Sequence, residues 1–263
     1  MRLLHALAVA ALVAVAAVPA RAADSGWTVT LGVKSGVLPD YEGSNRYVFR
    51  PLPLFDVRPA GTPPRFHSPR ESIGFGLFEQ GAFRAGPAAK LRFPRKEGDD
   101  ADLRGLGDVD WGAELGGFVD YWPVQWLRAH AELRQGVGAH HGLVSDILVD
   151  AVWRVTPVLT LSGGPRLTIQ TQKAVSPYFD VTAAQSAASG LPVYSAGGGV
   201  TSWGLGGQAR YDWSPQWATY VYVEYQQLVG DVANAPIVAI RGSRDQFEGG
   251  LGVTYSFNMP SLW

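Results

Sequence analysis

Side chains in this chain alternate between two faces with a period of two for ten to thirteen residues at a time, and few folds accept that. In residues 158–170, Leu159, Leu161, Gly163, Pro165, Leu167 and Ile169 share one face. Thr160, Ser162, Gly164, Arg166, Thr168 and Gln170 share the other. Residues 125–137 set Leu127, Ala129, Ala131, Leu133 and Val137 against the four polar residues Arg128, His130, Glu132 and Arg134. Residues 200–213 repeat the pattern with Arg210 on the polar face, and residues 245–257 with Glu248. Weaker alternation covers 27–37, 83–92, 109–122, 143–155 and 217–229. A globular strand usually has about 5–6 residues, whereas a tilted strand crossing a bilayer needs about 9–11. Length and two-sidedness together predict membrane-crossing strands with an apolar outer face and a polar inner one.

The connections carry a second regularity. Short ones at 122–124, 156–157 and 214–216 alternate with long ones at 94–108, 138–142, 171–199 and 230–244. Outer-membrane barrels turn tightly on the periplasmic side and loop out on the other. Trp27, Trp122, Trp126, Trp153, Trp213 and Trp217, six of the nine tryptophans, then fall at the short-turn rim as an interfacial girdle. A soluble sandwich would have no reason to sort tryptophan to one end. The fold expected is all-β, an antiparallel up-and-down transmembrane barrel. Eight strands follow residue 83 and three precede it, at 27–37, 47–58 and 71–78. An even number requires one more, and a break at Pro51 and Pro53 supplies it, giving twelve. Ten is the alternative if part of the early region lies in the lumen.

Residues 1–22 read as a secretory signal, with Arg2, an apolar run and Ala20-Arg21-Ala22, leaving 23–263 as the barrel domain. The absence of cysteine excludes disulfides, thiolate metal sites and a lipidated N-terminal cysteine. The formal charge of −1 gives no basic field to attract nucleic acid. Nothing calls for a cofactor. His140, His141, Ser145 and Asp146 lie close in sequence, but proximity of residue types does not make a nucleophile and base, and their spacing does not suit zinc. The acidic run Glu97, Asp99, Asp100 and Asp102 lacks a calcium-loop order and reads as a solvated loop. Gly204, Gly206 and Gly207 lie in a strand, where glycine makes room for a bend or for inward side chains, and no helix follows to complete a phosphate cradle.

Residues 39–53, PDYEGSNRYVFRPLP, resemble the opening signature of the MipA/OmpV family, the MltA-interacting proteins. Four further stretches carry the likeness in order: DLRGLGDVDWGAELGGF (102–118), AELRQGVGAHHGLVSD (131–146), VTAAQSAASGLPVYSAGGG (181–199) and RGSRDQFEGGLGVTYSF (241–257). The family pattern stops near Phe257, and this chain adds NMPSLW, so either Phe257 or Trp263 is the terminal aromatic read by the assembly machinery. The resemblance implies an outer-membrane protein in contact with lipid and lipopolysaccharide. It further implies a noncatalytic scaffold joining a murein lytic transglycosylase to a penicillin-binding murein synthase. A narrow porin-like channel for small polar solutes is the competing expectation, because Arg128, His130, Glu132, Arg134, Arg166, Arg210 and Glu248 are placed in the lumen. The wider interior set adds Lys34, Arg84, Lys90, Arg92 and Arg154 to the cations and Glu114, Asp120, Asp146, Asp150, Asp212 and Glu224 to the anions.

Overall fold

The computed structural model describes residues 26–62 and 64–260. The expected signal segment 1–22 and Trp263 lie outside the described residues. β1 (Gly26–Pro39) and β2 (Tyr47–Pro59) form the first hairpin. Two fragments follow, β3 (Ile73–Gly74) and β4 (Phe78–Gln80). The remaining strands are β5 (Phe83–Arg92), β6 (Gly112–Val124), β7 (Leu127–Val137), β8 (Leu143–Arg154), β9 (Leu159–Gln170), β10 (Gly199–Asp212), β11 (Trp217–Leu228) and β12 (Asp245–Pro260). All twelve belong to one antiparallel sheet of order β2-β1-β12-β11-β10-β9-β8-β7-β6-β5-β3, with β4 also on β5. This is a nearly closed twelve-strand barrel, in which the first and last strands pair from Gly26↔Pro260 to Val37↔Gly249.

The twelve arise differently from the expected break in β2. That strand is continuous, and Pro51 and Pro53 pair with Ser35 and Val33 of β1. The backbone bonds Ala60 N to Gly26 O (2.9 Å) and Asp40 N to Arg46 O (3.0 Å) flank the hairpin and show that even-numbered positions bond toward β1. Pro51, Pro53 and Pro59 are odd, so their missing N–H groups face away from the ladder, where proline is tolerated. The expected strand at 71–78 is in fact β3 and β4, two fragments of one stave along β5, with the pairing shifted by one residue between Gly74↔Ala88 and Phe78↔Ala85. Twelve strands with two sharing a stave make eleven staves, so β2 and β3 run the same way. They approach each other without a ladder. Residues 66–72 return through the bore and supply the crossing that parity requires.

The alternation sorts chemistry inside out. Leu31, Val33, Leu115, Leu133, Leu205, Val221 and Leu251 face outward and are exposed, whereas Arg128, Arg134, Glu114 and Asp150 are at most 1 % exposed. Among the described residues the main apolar core lies above the barrel, at the end with the long connections. There Leu103, Leu106 and Val109 pack with Val175, Phe179, Val181 and Leu191, and with Val232, Ile237 and Val238. Four short helices carry much of this cap: α1 (Gln172–Phe179), α2 (Ala183–Ser189), α3 (Gly230–Asn234) and α4 (Pro236–Ala239). Local sequence fixes α2 at both ends. Thr182 and Gln185 form a reciprocal capping box, and Gly190 ends the helix at φ 77°. The expected loop at 171–199 is thus a folded lid over the mouth.

Candidate functional site

The interior is built from the inward row of β7. Arg128 donates from Nε to Asp120 Oδ1 (2.8 Å) and forks onto Glu71, with Nη1 to Oε1 at 2.5 Å and Nη2 to Oε2 at 3.0 Å. His130 sits between two carboxylates, with Nδ1 2.7 Å from Asp120 and Nε2 3.0 Å from Glu132. Glu132 accepts from Ser72 N (2.9 Å) and Ser72 Oγ (2.5 Å) and pairs with Arg134. Arg134 reaches Glu114 (2.9 Å) and Asp146 (2.6 Å). Each ion is buried and each has partners on more than one element, which a buried charge requires to offset its lost hydration.

The segment 64–72 threads this network. Arg70 pairs with Glu224 and Asp146 and donates to Thr168 Oγ1 at 2.5 Å. Its carbonyl accepts from Lys90 Nζ at 3.2 Å, and the carbonyl of Pro69 accepts from Lys34 Nζ at 3.0 Å. The Arg128 guanidinium stands 5.4 Å from the centre of the Phe66 ring. Charges of β1, β5, β7, β8, β9 and β11 therefore meet one internal strap, which Asp120 of β6 joins through Arg128, and together they span the bore. Above it, His140 Nε2 lies 3.1 Å from Glu114, and Arg95 donates to the carbonyl of Tyr178 at 2.5 Å, joining barrel and cap. In that cap the Tyr41 hydroxyl is pushed up to about 12, first by burial and then by Asp100 and Asp102.

The other residues expected inside divide into three groups. Arg166 is buried against Asp150 at 2.7 Å, and Gly206 leaves it room, since a Cβ there would stand 3.0 Å from its guanidinium. Arg210 and Asp212 are half-buried in a pair at 2.9 Å near the short-turn mouth, and Glu248 meets Lys34 at 3.5 Å. Arg154 is exposed at the last position of β8, because the strand leaves the bore there. Of the girdle residues, Trp27, Trp126, Trp153, Trp213 and Trp217 are exposed and Trp122 is half-buried. The sequence reading missed Arg70, Glu71 and Ser72 as lumen residues. The only signal was a charged stretch, SPRES, with no alternation.

The weaker chemical candidates separate. Ser145 and Asp146 lie on opposite faces of β8, His140 turns to Glu114, and His141 is exposed, so no nucleophile meets a base here. In the acidic run, Glu97 accepts from Gly105 N (3.0 Å) and Gly107 N (3.1 Å), while Asp100 accepts from Asp102 N (2.9 Å) and pairs with Arg46. These carboxylates shape their own loop. Among the described residues no group of three or more His, Asp or Glu is placed to hold a metal ion.

A barrel apolar outside, charged inside and rimmed with tryptophan at its short turns is an outer-membrane β-barrel protein. The family model described as MltA-interacting protein MipA matches residues 31–257, and the chain belongs to that family. No curated protein matches the sequence. Among solved structures, an outer-membrane channel from Pseudomonas putida F1 is similar at a TM-score of 0.45 and 11 % identity, over 90 % of this chain and 97 % of that one. The outer membrane protein OprG from Pseudomonas aeruginosa gives a TM-score of 0.31 and 14 % identity, over 89 % and 97 %. At such scores the barrel architecture rests on the chain's own strand ladder.

Proposed function

We propose that the protein is a closed barrel acting as a noncatalytic scaffold, which holds a murein lytic transglycosylase of the MltA kind, together with a murein synthase, at the periplasmic face of the outer membrane. The observation that carries this reading is the strap at 64–72, tied through Arg70, Glu71 and Ser72 across the bore, where a solute channel would need free space. The family's name supports the first partner. The docking surface is the short-turn rim, where exposed Trp126, Trp153 and Trp213 flank the turns and Arg154 adds a cation. A stable interface needs roughly 800 Å² from each partner, so several turns must contribute together.

The second reading, a gated pore for small polar solutes, is favoured by the half-buried mouth residues Asp56, Arg58, Arg210 and Asp212 below the strap. One pair of measurements separates the two. Pull-down from solubilised envelopes is expected to recover a lytic transglycosylase with the wild-type protein and much less with Arg154→Glu. In planar bilayers the wild type is expected to show no unitary conductance. Recovery of neither murein enzyme, together with steps that change on Arg70→Ala, would replace the scaffold with the pore.

A further inference from the structure

The outward face of the wall is interrupted below the cap. Ser145 of β8 pairs with Leu133 of β7 on one side and Ile169 of β9 on the other. Its small side chain, among larger outward neighbours that include Leu143, leaves a depression of about 500 Å³, and Gln172, Gly198 and Gly199 overhang it. The overhang can close in because Gly198 lacks a side chain: a Cβ there would stand 2.6 Å from Gln172 N. Leu133, Leu143 and Ile169 are exposed members of the lipid-facing belt, so the depression opens sideways into the membrane and is continuous with that surface. It lies at the ends of β7, β8 and β9 that carry the long connections, which places it in the outer leaflet. Lys173, exposed near the start of α1, follows the lining residue Gln172 in the chain, so the cation next in sequence to the depression lies on its long-connection side.

We propose that this depression binds one acyl chain of an outer-leaflet glycolipid of the lipid A class, with Lys173 set against the phosphate of its headgroup. Leu133, Leu143 and Ile169 make most of the exposed lining. Of its polar residues, Gln170 is buried and the Thr171 hydroxyl is held by the Leu143 backbone, so only Ser145 and Gln172 are left to offer a sugar or peptide a bond, and acyl chains already surround the opening. Because lipid tails are as apolar as leucine, the preference for this seat comes from close packing and from the charge at the rim rather than from escape from water. Ser145 points away from the bore, so filling the depression leaves the interior ion pairs in place.

The experiment is native mass spectrometry of the full-length mature barrel in mild detergent, titrated with lipid A and, separately, with phosphatidylethanolamine. Each variant is first shown to keep the heat-modifiable mobility of a folded barrel. The wild type is expected to hold one lipid A in preference to phosphatidylethanolamine. Ser145→Trp should weaken that binding at least tenfold and Lys173→Glu severalfold, while Ser145→Ala leaves it unchanged. If Ser145→Trp does not fold, Ser145→Leu takes its place. Equal binding by the filled variant and the wild type, or no preference for lipid A, overturns the proposal.

Discussion

Arg128 holds two parts of the molecule at once, Asp120 of the wall and Glu71 of the strap, while itself 1 % exposed. Replacing it with alanine removes the cation that two buried carboxylates share and leaves Asp120 to His130 and Arg84, and Glu71 to the Ser68 N–H and His67; breaking a buried pair costs about 3–5 kcal/mol. The urea midpoint of the heat-modifiable form should fall accordingly for Arg128→Ala. For Arg128→Lys it should fall less, since an ammonium keeps the charge but not the fork. An unchanged midpoint for Arg128→Ala would show that the network adds nothing to stability. Period-two alternation is enough to sort Arg128, His130, Glu132 and Arg134 to one face, and that much can be read from the residues. Their partners Glu71 and Ser72 cannot, because a contact across 57 or 60 residues depends on a register and a strap path that leave no periodic trace. Arg154 shows the opposite limit: alternation gives its face but not the height at which the wall ends.

Strand limits were legible even where alternation was weaker. The expected 83–92 is β5 to the residue, and 143–155 overshoots β8 by one. Proline misled, since a rule about donors was applied without knowing which way each N–H faced. In β2 the prolines instead blunt a free edge, removing donors at 51, 53 and 59 that would otherwise offer a template to another strand. Cap helices left only local marks, such as the Thr182 and Gln185 capping box, because their apolar cluster draws on five separate connections. This division of the core into cap and barrel predicts separable stability. Phe179 is 1 % exposed in the cap, and Phe→Ala in a packed core costs about 3–5 kcal/mol. Phe179→Ala should speed amide exchange in 172–199 by on the order of a hundredfold while β6 to β9 keep wild-type rates. Equal acceleration in the barrel strands would mean that cap and barrel open as one unit.

At the scale of the whole molecule, the fold puts charge where a soluble protein puts leucine, and this works only because the surrounding solvent is hydrocarbon. Two ends with different chemistry result, one closed by a folded cap and one rimmed with tryptophan and tight turns. Which end meets the outside follows from loop length alone, by the rule that long connections face outward. The chain offers a clean test because it contains no cysteine, so a single introduced thiol reports one position. Ala184 in α2 and Gln216 in the turn after β10 are both exposed, one at each end. A membrane-impermeant maleimide added to intact cells should label Ala184→Cys to completion and leave Gln216→Cys unmodified until the outer membrane is permeabilised. Because β1 pairs with β12 from Gly26↔Pro260, these two described positions share the protected side with Gln216. A thiol introduced as Met259→Cys should therefore stay unlabelled with it in intact cells. Labelling of Gln216→Cys in intact cells would invert the barrel, move the tryptophan rim to the outer surface and remove the periplasmic docking face on which the scaffold reading depends.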